Sequence, residues 1–424
     1  MAQWPMSRDW AGTSLGLALC LGGVAGGAGA APGPGCPGNG EVAQQVESLR
    51  QEFRQAMAAQ ERRLRELEAA LLRLSPPEPR TEAARPAPVP PPTPTAPPPS
   101  RASLSVCAQG CDARDLQSAV RQVAPGGEIR VAAETRGDCA VLDKPLVLKG
   151  LRGADGRRAH LAGGVCMGKA PLVTTAANIV IEGFEITGAE VEDGNGACVR
   201  LDPGTRDLTI RDIHCHVVQD GLLGQVGGRL TVEDSTFIGD RGGQTHGKFG
   251  HGFYLWGDAA LIRRTRILSI QHQGHTLKTG LGQLTVEDSV LAALDGHNSR
   301  AIDAYGGGNL VVRRSVIQQG PHSDNNDMIG LGLEPGRMLA GGHSLTLEDN
   351  WVVFDAGGRW RKSLLRGREL GPIALVGNRL VGVDAPGLDT VREIGDHWFD
   401  DRRKAGLPPF DGSLESLPKP GGAL

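Results

Sequence analysis

One short phrase recurs along the chain, and this repeat constrains the fold more than any other feature. Its strongest copies are residues 230–234 (LTVED), 284–288 (LTVED) and 345–349 (LTLED). Weaker copies lie at residues 179–183, 208–212, 260–264, 310–314 and 373–377. Successive copies are 22 to 35 residues apart. A strand-like core that returns at intervals of about 20 to 50 residues indicates a solenoid.

The content of each unit indicates which solenoid to expect. The phrase alternates apolar and polar residues, as a strand with one buried face does. A second short strand follows, as in residues 236–238, and a third closes the unit, as in residues 253–255. Gly, Asp and Asn clusters supply the turns, and no unit has room for a long helix. Three strands per coil predict an all-β fold, a parallel β-helix.

Residues 101–380 therefore resemble the right-handed parallel β-helix (pectate-lyase-like) superfamily. The resemblance implies a substrate groove along one outer face of the solenoid. A domain of residues 101–395 is expected, opened by a capping helix near residues 112–123 that covers the first coil. Residues 396–424 are expected to form an irregular tail or a cover over the last coil.

Three segments precede the predicted solenoid. Residues 1–31 are interpreted as a signal peptide, because Arg8 is followed by an apolar stretch that ends in small residues. An uncleaved signal anchor is the alternative, and either way we expect a secreted or periplasmic protein. Residues 41–74 carry apolar residues three or four apart, which favours a coiled-coil helix and a homo-oligomer over a lone amphipathic helix. Residues 75–100 are a Pro-rich, extended linker.

Of the eight cysteines, seven lie beyond the predicted signal peptide, and secretion would permit disulfide bonds among them. Sequence cannot fix their connectivity. Local proximity suggests the pairs Cys107 with Cys111, Cys139 with Cys166 and Cys198 with Cys215. Cys36 then remains for a bridge between protomers.

Composition argues against several other functions. The formal charge is −3, and basic residues are spread through the repeats, so a nucleic-acid partner is not expected. Beyond residue 40 no apolar stretch is long enough to cross a membrane. No CxxC pair or zinc-like His/Cys spacing occurs, so we predict no metal and no other cofactor.

Aligning the units on their phrases predicts a polar ladder on the outer face. Phe253, Leu277, Ile302 and Ile329 should point inward, since neighbouring coils stack in register about 4.8 Å apart. The residues that follow the first three of these should then be neighbours on the outside: Tyr254, Lys278 and Asp303. The same alignment places further polar residues at the edge of this strand: His251, His275, Asn298, Arg300 and Asn326. Tyr305 follows the strand that carries Asp303.

This ladder would suit β-elimination from a uronate-containing polysaccharide. We predict Lys278 as the base, with a pKa lowered by neighbouring positive charge, and Arg300 as the group that neutralises the substrate carboxylate. Tyr254 or His251 would protonate the leaving oxygen. Asp303 opposes this scheme, because a carboxylate beside a lysine raises the pKa of the lysine. The predicted catalytic set is Lys278, Arg300, Tyr254, His275, His251 and Asp303, and the predicted substrate-binding set is Asn298, Asn326 and Tyr305.

The lysine strand, residues 274–280 (GHTLKTG), and its neighbour, residues 299–305 (SRAIDAY), resemble the alginate lyase and chondroitinase B branch of the superfamily. That branch has a base lysine on one coil and an arginine on the next, and the resemblance implies those roles here. The match departs at Asp303, which holds the place of the arginine, while Arg300 lies three residues earlier. The calcium-binding acids of the branch and the Asp-Pro-His-Asp signature of β-helix epimerases are not matched.

Other interpretations remain open. Lys278 and Asp303 would also suit a plain salt bridge between coils, and the histidines would suit hydrogen-bonded turns. A glycosidase would need two carboxylates, for which Asp303 and Asp327 are the nearest candidates. The acidic pair that ends each strong phrase recurs with the repeat, so it is interpreted as strand-end and turn residues. The alternative function is a non-catalytic glycan-binding or cell-envelope scaffold protein.

Overall fold

The structure is a computed structural model that describes residues 101–239, 250–337, 339, 343–355, 362–387 and 389–421. The predicted signal peptide, coiled coil and linker, together with Cys36, lie outside these residues. The described chain winds through parallel strands that build three faces. Because every ladder between coils is parallel and the chain returns to each face in turn, the predicted parallel β-helix is confirmed for this part of the chain.

Face 1 carries the predicted polar ladder. Its strands are Ala140–Leu142, Leu172–Thr174, Ala197–Leu201, Ile302–Ala304, Asp327–Leu331 and Ser363–Gly367. Three long strands run from face 1 into face 2: Asp220–Glu233, Phe253–Arg263 and Leu277–Glu287.

Faces 2 and 3 complete each coil. Face 2 also has Arg101–Val106, Val123–Val131, Leu146–Gly150, Ile179–Glu182, Arg206–Arg211, Asn309–Arg313, His343–Glu348, Leu370–Val376 and Val391–Ile394. Face 3 has Thr135–Arg136, Ala159–Ala162, Phe184–Thr187, His214–Cys215, Thr236–Ile238, Arg266–Leu268, Val290–Ala292, Val316–Gln319, Trp351–Phe354, Arg379–Val381 and His397–Phe399.

The repeated phrase is the face 2 strand, and its copies align as the sequence predicted. The third residue of each copy pairs with its counterpart on the next coil, as Val232 does with Ile262 and Ile262 with Val286. These side chains are fully buried. Inward-facing apolar residues therefore stack in rows along the solenoid, and these rows form the core.

The fifth residue of the phrase turns the chain off face 2. Asp234, Arg264, Asp288 and Arg314 all have φ between 47° and 52°, where Asp is tolerated better than most residues. The charge alternates from coil to coil, so Arg264 binds both carboxylate oxygens of Asp234, at 2.7 and 2.8 Å. Arg314 binds Asp288 in the same way, at 2.8 and 2.9 Å. In the pairs Glu233-Asp234 and Glu287-Asp288 the Glu ends the strand and the Asp turns the chain, and arginines of the following coil bind both carboxylates.

A second polar ladder runs inside the solenoid next to this turn. The amide N–H of Ser289 donates to Ser315 Oγ, and that of Ser315 donates to Asn350 Oδ1. The amide N–H of Asn350 then donates to Asn378 Oδ1. All four residues are buried, so each side chain satisfies a backbone group that water cannot reach.

The two ends of the described chain cover apolar surface. The predicted capping helix is present as Leu116–Gln122; Asp115 caps it, and Leu116, Ala119 and Val120 are buried.

A 3₁₀ turn, Pro335–Arg337, follows the face 1 strand Asp327–Leu331. A second, Leu414–Ser416, lies in the tail. After strand His397–Phe399 the tail packs Leu417, Phe410 and Leu414 against a cluster that includes Val290, Ala292 and Val316 of face 3.

The three predicted disulfides are confirmed: Cys107–Cys111, Cys139–Cys166 and Cys198–Cys215. No other cysteine lies among the described residues. In the same part of the chain, no helix has the length and apolar character that a membrane span requires.

Replacing Asn350 with Ala should destabilise the fold, because Asn350 Nδ2 also donates to the Val312 carbonyl oxygen at 2.8 Å. The substitution leaves several buried polar groups unpaired, and each costs about 1–3 kcal/mol. We expect a clear fall in the urea midpoint of the full chain. Asn195→Ala is the control, because Asn195 is only partly buried and its Nδ2 donates to the nearby carbonyl oxygen of Asp193. Equal midpoints for the two variants would contradict a structural role for this ladder.

Candidate functional site

The outer ladder of face 1 lies where the repeat alignment predicts. Tyr254 pairs in register with Lys278, and Lys278 pairs with Asp303. Their inward neighbours Phe253 and Leu277 are completely buried. Three chemically different side chains from three consecutive coils are therefore brought side by side.

A buried ladder lies three residues earlier, just before the same strands. The amide N–H of His251 donates to Asp220 Oδ1 at 2.7 Å, and that of His275 donates to His251 Nδ1 at 2.9 Å. The amide N–H of Arg300 donates to His275 Nδ1 at 3.1 Å. The two imidazole rings stack with centroids 5.5 Å apart. Each ring is fixed by the backbone of the next coil.

These hydrogen bonds determine the protonation of the histidines. Because Nδ1 of each ring accepts a hydrogen bond, the proton of the neutral imidazole must lie on Nε2. Burial, reinforced by Lys278, lowers the pKa of His251 to about 3. Burial, reinforced by His251 and Lys278, lowers the pKa of His275 to about 2. Both rings are thus neutral donors, and His275 Nε2 lies 3.3 Å from Asp303 Oδ2.

Arg300 is fully engaged by neighbouring residues. Its Nε donates to Asp327 Oδ2, and its Nη1 lies 3.6 Å from Asp303 Oδ1. Only 12% of its side chain is exposed. Burial raises the pKa of Asp303 even though Lys278 and Arg300 act in the opposite direction. Arg300 therefore compensates buried carboxylates, and it does not present its guanidinium to the surface.

Lys278 lies between two carboxylates and two aromatic rings. Its Nζ donates to Glu334 Oε1 at 2.8 Å and lies 3.6 Å from Asp303 Oδ2. The same atom is 5.5 Å from the ring centre of Tyr254 and 5.3 Å from that of Tyr305. The repeat pattern does not reveal Glu334, which belongs to the loop after a strand two coils further on.

Arg337 is a second residue that the sequence analysis missed. Its Nη1 donates to the hydroxyl of Tyr254 at 2.7 Å and lies 3.4 Å from Glu334 Oε2. Its guanidinium carbon is 5.3 Å from the ring centre of Tyr305. With 55% of its side chain exposed, Arg337 is the most accessible cation beside the ladder among those described here.

Two hollows open beside these residues, and they differ in character. The polar hollow is lined by His251, Gln273, His275, Lys278, Ser299, Asp324 and Asn325. The aromatic hollow is lined mainly by Tyr254, Trp256, Gly257, Gly280, Tyr305 and Arg337. The polar hollow, which Lys278 lines, lies at the start of the face 1 strands, and the aromatic hollow, which Tyr254 lines, lies at their end. We call the strip of face 1 that holds both hollows the groove.

The remaining residues of the predicted site occupy different environments. Asn298 is completely buried; its Nδ2 donates to Thr276 Oγ1 at 3.2 Å, so it supports the turn from within. Asn326 is exposed next to the polar hollow. Tyr305 is only 6% exposed, under Arg337. Within the described residues, no group of three or more His, Cys, Asp or Glu is arranged to hold a metal ion.

Comparisons with known proteins give similarities of fold at low sequence identity. An alginate lyase from Paenibacillus sp. str. FPU-7 is 17% identical, with a TM-score of 0.49 over 70% of this chain and 98% of that one. The A-module of a mannuronan C-5 epimerase from Azotobacter vinelandii is 12% identical, with a TM-score of 0.28 over 65% and 89%. The pectin methylesterase PemA from Erwinia chrysanthemi is 10% identical, with a TM-score of 0.28 over 71% and 94%.

No protein-family model matches the chain, and no curated protein matches it. Identities below one fifth do not transfer a function from these proteins.

The lowered pKa values of His251 and His275 predict that neither ring titrates between pH 5 and 8. In NMR spectra, the chemical shifts of the carbon-bound imidazole protons of both residues should stay constant over this pH range. The variants His251→Gln and His275→Gln would assign the two signals. A titration midpoint near the ordinary value of about 6.5 would contradict the buried, neutral pair.

Asp220 gives a pH dependence of stability that can be tested. It is 2% exposed, and burial raises its pKa to about 8. The folded state then holds this proton above the ordinary pKa, so the stabilisation is complete at low pH and is lost as pH rises from about 4 to 8. Asp220→Asn does not titrate, so its Tm should rise relative to the parent chain between pH 5 and 7.5. Exposed Asp389→Asn is the control; a pH-independent difference at position 220 would contradict the shift.

Proposed function

We propose that the groove binds a uronate-containing polysaccharide and cleaves it by β-elimination. The observation that carries the proposal is the meeting of Lys278, Tyr254 and Arg337 in an open groove, with one carboxylate between the two cations. β-Elimination needs a group that neutralises the uronate carboxylate, a base for the proton at C5 and an acid for the leaving oxygen. These three side chains supply one candidate for each role.

The carboxylate of Glu334 marks where the carboxylate of a substrate would bind. It contacts both Lys278 Nζ and Arg337 Nη1, and 38% of its side chain is exposed. A uronate entering the groove would displace it and pair with Arg337, whose planar guanidinium suits a carboxylate. Arg337 thus takes the role that the sequence analysis gave to Arg300, because Arg300 is occupied by Asp303 and Asp327.

Removal of Glu334 from Lys278 leaves the amine free to face C5 of the bound uronate. Lys278 first releases one ammonium proton to water. Its neutral amine then takes the C5 proton, and the electrons of that C–H bond form a double bond between C4 and C5. The bond from C4 to the glycosidic oxygen breaks, and the hydroxyl of Tyr254 protonates that oxygen. Bound to the carboxylate, Arg337 stabilises the negative charge that builds up as the proton leaves.

The buried ladder behind these groups fixes their positions. His275 and Arg300 hold Asp303, and Asp303 lies 3.6 Å from Lys278 Nζ. His251 packs against Tyr254 with ring centroids 5.2 Å apart. In this proposal the two histidines orient Tyr254 and Asp303, and His251 presents its Nε2 proton to sugar hydroxyls in the polar hollow.

We also propose that the protein works outside the cytoplasm. Three disulfides among the described residues fit an oxidising compartment. The predicted signal peptide at residues 1–31 points the same way. A polymeric substrate would be met in the periplasm or beyond it.

A binding protein without catalytic activity is the second candidate. The observation that favours it is the pairing of Lys278 with two carboxylates, Glu334 and Asp303, which would suit a structural salt bridge. In that case the groove would hold a glycan, and Lys278 would act only as a cation. The two functions differ in what they require at position 278: a lyase needs an amine that can lose its proton, whereas a binding protein needs only a positive charge.

Substitutions of Lys278 separate the two functions. The full chain is incubated with alginate, pectate, glucuronan and glycosaminoglycans, and the ultraviolet absorbance of the unsaturated uronate product is followed. We expect product from one polymer, and a fall in rate of about 10²- to 10⁴-fold in both Lys278→Ala and Lys278→Arg. The arginine keeps the positive charge but stays protonated at any physiological pH, so it cannot act as a base.

Lys149→Ala is the matched control, because Lys149 also pairs with a carboxylate, that of Glu182, but on face 2. Lys278→Arg with the turnover of the parent chain would rule out the base. Binding of a polymer with no product from any of them would rule out the lyase and favour the binding protein.

A further inference from the structure

Aromatic side chains are scarce in this chain, and three of them meet at the groove. The sequence contains two tyrosines, Tyr254 and Tyr305, and aromatic residues make up only 4% of it. Both tyrosines lie at the groove, with ring centroids 5.9 Å apart. Trp256 adds a third ring, 5.4 Å from that of Tyr254. These three residues form what we call the aromatic platform.

The platform faces an open space that the backbone keeps clear. Trp256 is half-buried and pairs in register with Gly280 of the next coil. A Cβ atom at position 280 would lie 2.3 Å from the hydroxyl of Tyr305. A side chain there would therefore displace Tyr305 and fill the hollow beside Trp256. Gly280 leaves room for a flat ligand over the rings.

Arg337 supplies a positive charge to the lining of the aromatic hollow. Arg337 contacts the Tyr254 hydroxyl and stands over Tyr305, so the platform has a positive charge at one edge and apolar ring surface elsewhere. A uronate pyranose has matching properties, since its carboxylate lies at one edge of the ring and its C–H groups form apolar faces. Aromatic side chains bury such surface while their polar atoms hydrogen-bond at the rim.

We propose that the aromatic platform is the subsite for the reacting uronate ring, which stacks on Trp256 with its carboxylate on Arg337. The proposal rests on the uronate-binding function given above. The sugar on the leaving side of the linkage then lies in the polar hollow, where His251, Gln273 and Asn325 meet its hydroxyls. The glycan then runs parallel to the face 1 strands and passes Lys278 on its way from one hollow to the other.

Binding to a variant that does not turn over substrate tests the subsite. In the full chain carrying Lys278→Ala, tetrasaccharides from alginate, pectate and glucuronan are titrated by calorimetry. We expect one to bind, and its Kd to rise about 3- to 10-fold when Trp256→Ala is added, a loss typical of one aromatic contact. Trp256→Phe should recover part of the loss.

Gln225→Ala is the matched control. Gln225 occupies the same ladder position as Trp256 one coil earlier, and it is exposed outside the two hollows. Its Kd should equal that of the Lys278→Ala parent. Equal affinities for Trp256→Ala and Gln225→Ala would overturn the subsite.

Turnover by the chain with Lys278 intact keeps the two proposals distinguishable. Cleavage of a polymer with no effect of Trp256→Ala on Kd or KM would leave the lyase standing and overturn the subsite. Binding that depends on Trp256, with no product from any polymer, would support the subsite and overturn the lyase. Failure of every tetrasaccharide to bind would overturn both.

Discussion

In-register stacking of coils about 4.8 Å apart is the constraint on which the rest of this structure depends. It places residues far apart in sequence next to one another on the same face. Lys278 is 24 residues from Tyr254 and 25 from Asp303, yet it is the direct neighbour of both. A single face of the solenoid therefore assembles a site from short strands that would carry no chemistry alone.

The same stacking brings charged side chains of successive coils next to one another. Like charges on successive coils would repel, and the alternation of Glu-Asp and Arg-Arg pairs at the face 2 turn replaces that repulsion with ion pairs. At the site the problem is harder because the charges are buried. Asp303 and Asp327 are 3% and 2% exposed, and Arg300 lies between them. A buried cluster of this kind contributes little net stability but tolerates few arrangements.

That rigidity has a functional consequence in our account. The buried ladder leaves Lys278, Tyr254 and Arg337 as the groups that reach the groove, and it holds the first two on strands. Arg337 and Glu334 come from a loop, where a rearrangement costs less. The proposed exchange of Glu334 for a substrate carboxylate is therefore assigned to the part of the site that is easiest to move.

Part of this site could be predicted from the sequence, and the reason is the regularity of the repeat. Strand alternation and the phrase alignment were enough to place Tyr254, Lys278 and Asp303 in one outer ladder, with His251 and His275 beside them. The alternating charge of the phrase is also visible in the sequence, although its cause appears only when the coils are stacked.

The rest was hidden in turns and loops. Glu334 and Arg337 lie 56 and 83 residues from their partners Lys278 and Tyr254, in a loop whose path no repeat pattern sets. Asn298 was placed with the substrate-binding residues because it is polar and near the ladder, but its side chain turns into the solenoid. Likewise, Arg300 faces Asp327 on the coil that follows, a contact that strand spacing alone does not reveal.

The central claim is that Glu334 occupies the place of a substrate carboxylate at the Lys278 groove. A crystal structure of Lys278→Ala with a bound uronate tetrasaccharide tests it most directly. Our account predicts a sugar carboxylate on Arg337, Glu334 displaced from its present position, and C5 of that sugar facing the vacated Nζ position. An oligosaccharide bound on another face, or bound here with Glu334 still on Arg337, would contradict it.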